Sequence, residues 1–139
     1  MSWKKEVEQI KYRKSLALQL GGKEKVERQH KAGRLTVRER ISYLLDKGSF
    51  NEVGILTGQS KYDNDGVLKE IIPANSVIGH GTINDLPVAV YGDDFTIRGG
   101  AADAAIWEKM ISAEKLANEY EIPIIRLIEV QEVEVQLNR

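Results

Sequence analysis

Two adjacent glycines, Gly99 and Gly100, stand between a β-prone run and the start of a strongly helical stretch. Glycine accepts positive φ and lets a ligand approach the main chain, while a helix start offers unpaired N–H groups and partial positive charge. Such a turn can hold a phosphate or a developing oxyanion. On its own a glycine pair at a strand-to-helix turn is weak evidence for a site, and a plain tight turn is the expected reading. Other reactive groups are sparse. With no cysteine, the chain has no thiol nucleophile, disulfide framework or thiolate metal site. Its two histidines, His30 and His80, lie in separate segments without clustered carboxylates, a poor basis for a metal centre. His80, on a β-prone run between two glycines, is expected to fill a packing or hydrogen-bonding role. Arg34, Arg38 and Arg40 have the forked guanidinium that fits phosphate oxygens, but a solvated helix face paired with Glu39 is the expectation for them.

The elements that would position the glycine turn are legible in the pattern. Residues 3–20 carry Val7, Ile10, Leu16 and Leu20 among charged residues, which predicts an amphipathic helix ended by Gly21 and Gly22. A second helix is expected over about 23–31, closing near Gly33. Thr36 and Glu39 have capping-box spacing, with Ile41, Leu44 and Leu45 following at helical intervals and Gly48 closing the segment. Gly58–Gly66 reads as a polar surface loop. Ser76–Thr82 and Pro87–Tyr91 predict a hairpin across Asn84, Asp85 and Leu86. From Asp103, a candidate cap, to Tyr120 the stripe Ile106, Met110, Ala113 and Ala117 predicts a helix, and Trp107 is expected to pack in the core or a subunit interface. Ile124–Ile128 then forms a strand parallel to an earlier one through the helical crossover. A strand this apolar expects helices on both faces, and the sequence after the hairpin provides only one.

Net charge is −1 from 20 basic and 21 acidic residues, so no overall field draws nucleic acid or anionic lipid. No apolar run approaches the ~18 residues of a membrane span, and Glu6 and Glu8 are unlike a targeting peptide. The expected location is the cytoplasm.

Four blocks in order, Gln29–Phe50 (QHKAGRLTVRERISYLLDKGSF), Val77–Asn84 (VIGHGTIN), Pro87–Tyr91 (PVAVY) and Asp93–Gly100 (DDFTIRGG), resemble the carboxyltransferase subunits of biotin-dependent acyl-CoA carboxylases. That family includes propionyl-CoA, methylcrotonoyl-CoA and geranoyl-CoA carboxylases and the methylmalonyl-CoA decarboxylase and transcarboxylase relatives. The resemblance runs from about Lys23 to Glu129. It implies an α/β fold, the start of a crotonase-like (ClpP/crotonase) ββα spiral domain preceded by a helical arm, here truncated. The expected organisation is an arm over 1–50, the first part of the acyl-CoA carboxyltransferase N-terminal domain over 51–129, and a tail over 130–139. His30, within the arm block, then reads as a structural or subunit-contact residue.

The chemistry implied is movement of a carboxyl group between carboxybiotin and the α-carbon of an acyl-CoA, through an enolate held by two backbone amides. On this resemblance Arg98, Gly99, Gly100 and Ala101 line the acyl-CoA pocket and supply one oxyanion donor, with no metal and no nucleophilic side chain. Biotin would arrive on a biotin carboxylase or biotin carboxyl carrier partner, with no cofactor bound by this segment itself, and the intact family forms homo-oligomers. The alternative is an inactive truncated product or a non-catalytic module that binds carboxylase subunits. The sequence GGAADAAIWEKM departs from the commoner propionyl-type pattern, which leaves the acyl group open.

After Glu129 the family strand normally enters a loop like Gly-Thr-Gly-Gly-Gly-Gly-Ser-Val, whose amides complete the oxyanion hole. Here Val130–Asn138 reads VQEVEVQLN. One back-translation of those residues, with a single G restored before it, reads Gly-Thr-Gly-Gly-Gly-Gly-Ser-Val-Glu. The expectation is a shifted reading frame after Glu129, against a divergent tail that merely permits this back-translation.

Overall fold

Alternating side chains in two adjacent strands set the architecture. The computed structural model describes residues 2–97, 99 and 107–129. Strands β4 (Ser76–Ile83) and β5 (Leu86–Asp93) pair antiparallel from Ser76↔Asp93 to Ile83↔Leu86. Their turn is the two residues Asn84 and Asp85, with φ of 49° and 63°, the left-handed pair that matches strand twist in a two-residue hairpin. The Asp46 carboxylate clasps this turn, accepting from Thr82 Oγ1 at 2.6 Å and from the amides of Asn84 at 3.0 Å and Asp85 at 2.9 Å. Those bonds, Thr82's foremost, hold its carboxyl below the usual range.

Strand β1 (Asn51–Val53) pairs antiparallel with β4, and β6 (Ile124–Leu127) pairs parallel with β5, giving the order β1-β4-β5-β6. The parallel strand is reached through helix α4 (Trp107–Glu119), the crossover that the sequence predicted. Because strand side chains alternate, Val77, Val88, Val90, Ile125 and Leu127 face one way and Ile78, Tyr91 and Ile124 the other. Helix α3 (Val37–Leu44) covers the first face with Val37 and Ile41, followed by Leu45, while α4 covers the second with Met110 and Ala113. Both faces are thus covered: the second helix, α3, comes from upstream of the hairpin.

Helix α3 starts at the expected capping box, in which Thr36 Oγ1 accepts the Glu39 amide and Glu39 accepts the Thr36 amide at 2.7 Å. It ends at Leu44, and Gly48 lies in the following turn. Helix α2 (Lys23–Lys31) has the predicted extent. Helix α1 (Lys4–Ala17) is shorter than expected and weakly two-sided: Ala17 is its buried residue, while Val7 and Ile10 are exposed.

Most of the presumed loop Gly58–Gly66 is ordered pairing. Strand β2 (Gly58–Tyr62) pairs antiparallel with β3 (Leu68–Pro73) in a separate two-stranded sheet. All five β2 residues are exposed, so no apolar alternation marks the strand. Backbone pairing, the Lys61–Glu70 ion pair at 2.7 Å and Asp63 accepting the amides of Asp65 and Val67 define it instead.

Candidate functional site

Strands β5 and β6 run parallel, so their carboxyl ends share one edge of the sheet, where open α/β sheets place their ligand sites. Asp93, Asp94 and Glu129 lie there, together with groups from the helices upstream. Gln29 Nε2 donates to Glu129 Oε1 at 2.6 Å, Arg40 reaches Glu129 Oε2 at 3.2 Å and Arg34 lies 3.8 Å from the same carboxylate. Arg34 also lies over the Phe95 ring, 5.4 Å from its centre. Asp93 accepts the Tyr91 hydroxyl at 2.6 Å and the Glu129 amide at 3.3 Å. Burial, and then the Asp93 carboxylate, raises the Tyr91 phenol above its ordinary pKa and keeps it a donor. Three segments far apart in sequence, around residues 29–40, 93–97 and 129, are therefore tied into one polar junction.

The run-up to the glycine turn is fixed just as closely. Asp94, 1% exposed, accepts from the Thr96 amide at 3.0 Å and the Thr96 hydroxyl at 2.6 Å. Thr96 Oγ1 in turn accepts the Gly21 amide at 2.8 Å. A Cβ at Gly21 would collide with the Thr96 carbonyl, so the α1–α2 corner needs glycine to dock here. Burial raises the Asp94 pKa, against the pull of its two Thr96 bonds.

Gly99 has φ of 61°, the left-handed conformation expected of a glycine that turns the chain into a helix. Arg98, Gly100 and Ala101, named with it as site residues, lie outside the described residues, as do the candidate cap Asp103 and the tail 130–139. Beside the turn, Ile97 forms part of the wall of a groove of about 440 Å³ between the α1–α2 corner and β3. Leu16, Leu20, Ile71 and Pro73 give it an apolar lining; its charged lining residues are Lys25, Lys69, which lies 3.1 Å from Asp63, and Glu70, which lies 2.7 Å from Lys61.

Other expectations are corrected. The three arginines do not pair with Glu39. Arg38 binds Glu52 through both terminal nitrogens at 2.7 and 2.9 Å, and Arg34 and Arg40 bind Glu129. Glu39 instead holds His30 Nε2 at 2.9 Å, a structural role as expected for that histidine; this bond and those to Thr36 lower the Glu39 pKa to about 2. His80 is exposed on β4 rather than packed. Trp107 is 57% exposed and so is not core. The sequence reading missed Lys109, 7% exposed, which donates to the Ser76 carbonyl at 2.7 Å and whose pKa burial lowers to about 8. Its signal was present: Lys109, Ala113 and Ala117 recur every four residues on the buried side of α4. Among the described residues, no group of acidic and histidine side chains could hold a metal.

Residues 28–133 match the carboxyl transferase domain family. The chain belongs to this family. It is 32% identical over 124 residues to the methylmalonyl-CoA decarboxylase subunit alpha of Propionigenium modestum, covering 88% of this chain and 24% of that protein. With the mitochondrial propionyl-CoA carboxylase beta chain of Sus scrofa it shares 38% identity over 122 residues, covering 86% and 23%. The crystal structure of the transcarboxylase 12S hexamer, with methylmalonyl-coenzyme A and methylmalonic acid bound, superimposes with a TM-score of 0.80 at 31% identity, covering 98% of this chain and 27% of that one. The chain therefore spans about a quarter of the length of the curated relatives it matches, and its mixed α/β fold is that of a carboxyltransferase domain. No helix among the described residues is long and apolar enough to cross a membrane.

Proposed function

We propose that this chain carries the acyl-CoA side of a carboxyltransferase site, in which a carboxyl group moves between carboxybiotin and the α-carbon of an acyl-CoA. The observation that carries this reading is the left-handed Gly99, two residues after Ile97. Ile97 walls a groove that is apolar along much of its lining and carries Lys25, unpaired among the described residues, beside the ion-paired Lys69 and Glu70. An acyl-CoA has that same division between a lipophilic arm and anionic phosphates. Arg98, Gly99, Gly100 and Ala101 form the proposed thioester turn, whose amide would hold the oxygen as enolate charge develops. Biotin, borne on a carboxylase partner, would supply the carboxyl group as its N–carboxyl bond breaks, and the freed ureido nitrogen would accept the α-proton. The chain's own contribution is to orient the thioester and stabilise the enolate oxygen; the enolate carbon then forms the new bond to the carboxyl carbon. The neighbouring polar junction keeps the segments on either side of the turn from drifting, since displacements of about 1 Å can cost ~100-fold in such sites.

Alone, the chain is proposed to bind acyl-CoA with turnover lowered roughly 100- to 1000-fold, because VQEVEVQLN stands at residues 130–138, where the resemblance places the glycine-rich loop that gives such a site its second amide. Calorimetric titration with propionyl-CoA tests the binding directly. Saturable heat that weakens in Lys25→Ala and Lys69→Ala supports the reading, and no binding to the native chain rejects it.

A second reading, a module that docks on carboxylase subunits or on copies of itself, is favoured by α1. Val7 and Ile10 on one side of that helix, and Trp3 at its N-cap, are 44%, 46% and 70% exposed. Sedimentation of the chain alone and with a biotin carboxylase subunit separates the two readings: a complex lost on Val7→Asp supports docking, and unchanged single-species behaviour removes it.

A further inference from the structure

Between α3, β4 and α4 lies a polar pocket that the carboxyltransferase reading does not use. It is lined by Arg38, Glu52, Ser76, Asp94 and Lys109, with Ala17, Leu20 and Val77 among its apolar neighbours. Most hydrogen-bonding positions of these groups are filled. Arg38 spends its two terminal nitrogens on Glu52, Asp94 spends Oδ1 on Thr96, and Lys109 donates to the Ser76 carbonyl. Among the described residues, three buried side-chain atoms remain without a protein partner: Arg38 Nε, Ser76 Oγ and Asp94 Oδ2. All three belong to residues lining this one pocket.

We propose that the pocket is a binding site for one water molecule, which accepts a hydrogen bond from Arg38 Nε, donates one to Asp94 Oδ2 and shares one with Ser76 Oγ. Its volume is about 10 Å³, and one water needs roughly 10–15 Å³ and two to four polar partners. The free atoms include an obligate donor, a carboxyl oxygen and a hydroxyl able to act as donor or acceptor, a set that water's two donors and two acceptors satisfy. Charge excludes the alternatives: a bound cation would face Arg38 and Lys109, and a bound anion would face Glu52 and Asp94. The water joins α3 and β4 to the carboxylate whose other oxygen holds Thr96, and so stiffens the segment leading into residue 97.

A high-resolution crystal structure of the chain tests this directly. The expected result is one density peak about 2.5–3.2 Å from each of the three atoms. Absence of a peak, or direct closure of the three atoms on one another, overturns the proposal. Unfolding of two variants in urea gives an independent answer. Ser76→Ala removes one partner and leaves the water in place, whereas Ser76→Val fills its space and leaves Arg38 and Asp94 unpaired. The water site therefore predicts a lower urea midpoint for the valine variant, although valine has the stronger strand preference. A midpoint for Ser76→Val equal to or above that of Ser76→Ala marks the pocket as a dry void and rejects the water.

Discussion

The two faces of the central sheet are built differently. Under α3 lie Val37, Ile41, Leu45, Val77, Val88 and Val90, an aliphatic layer. Under α4 lie Ile78, Tyr91 and Ala113 with the buried Lys109 at the margin, while Arg126 of β6 pairs with Glu114 of α4 and lies 5.7 Å from the centre of the Tyr91 ring. The first face can be sealed by area alone, whereas the second is close-packed through small residues and relies on satisfied polar groups. The difference separates two tasks. The aliphatic face holds β4, β5 and β6 in register, and the groups around the strand ends set where the turn at Gly99 sits.

That contrast can be broken from either side. The largest effect is expected from Ile41→Ala, which removes a fully buried side chain from the aliphatic layer and should cost about 2–5 kcal/mol in urea unfolding. On the opposite face, Ala113→Leu should cost about 1–3 kcal/mol by overfilling the tight contact with Ile78 and Tyr91. If the leucine instead stabilised the protein, that face would be loosely packed and the contrast wrong. Smaller again is Thr36→Ala, which removes the α3 cap for about 1 kcal/mol. The same change should flatten the acid limb. The bonds to His30 first and then to Thr36 hold the Glu39 pKa near 2 against an ordinary 4.5, a contribution present above pH 4.5 and lost as pH falls towards 2. The difference in urea midpoint between the native chain and Thr36→Ala should therefore shrink across that window.

The pH dependence sharpens the comparison from the alkaline side. Lys109 has its pKa lowered by burial from 10.5 to about 8, so between those values the unfolded chain binds the proton that the folded chain has released. Stability contributed by this group should therefore rise as pH rises from about 8 to 10.5. Comparing urea midpoints across that window in the native chain and Lys109→Met checks the sign: the rise should be smaller in the methionine variant.

Local signals made part of this fold legible. The Asn84–Asp85 turn, the Thr36–Glu39 capping box and the break at Pro123 each act within a few residues, and each stands where the sequence put it. Strand β2 was not legible because its side chains are all exposed and its order comes from pairing with β3. The role of α3 as the second cover of the sheet was missed because it packs on strands roughly forty to ninety residues downstream, a relation no periodicity reports. At the site, the glycine turn could be read from residue type alone, but the Gly21–Thr96–Asp94 chain and the grip of Gln29 and Arg40 on Glu129 span 75 to 100 residues and appear only once the chain is folded.

Acyl-CoA binding is proposed for the turn at Gly99 and the groove walled by Ile97. Calorimetric titration of propionyl-CoA into the native chain and into Gly99→Val tests it most directly, because valine at a φ of 61° is strained while Ile41 and the aliphatic layer are untouched. The account predicts saturable binding to the native chain and at least ~10-fold weaker binding to a folded Gly99→Val variant, as expected when an unfit main chain displaces a ligand by about 1.4 kcal/mol or more. Equal affinity in the two proteins, or no binding to the native chain, would contradict it.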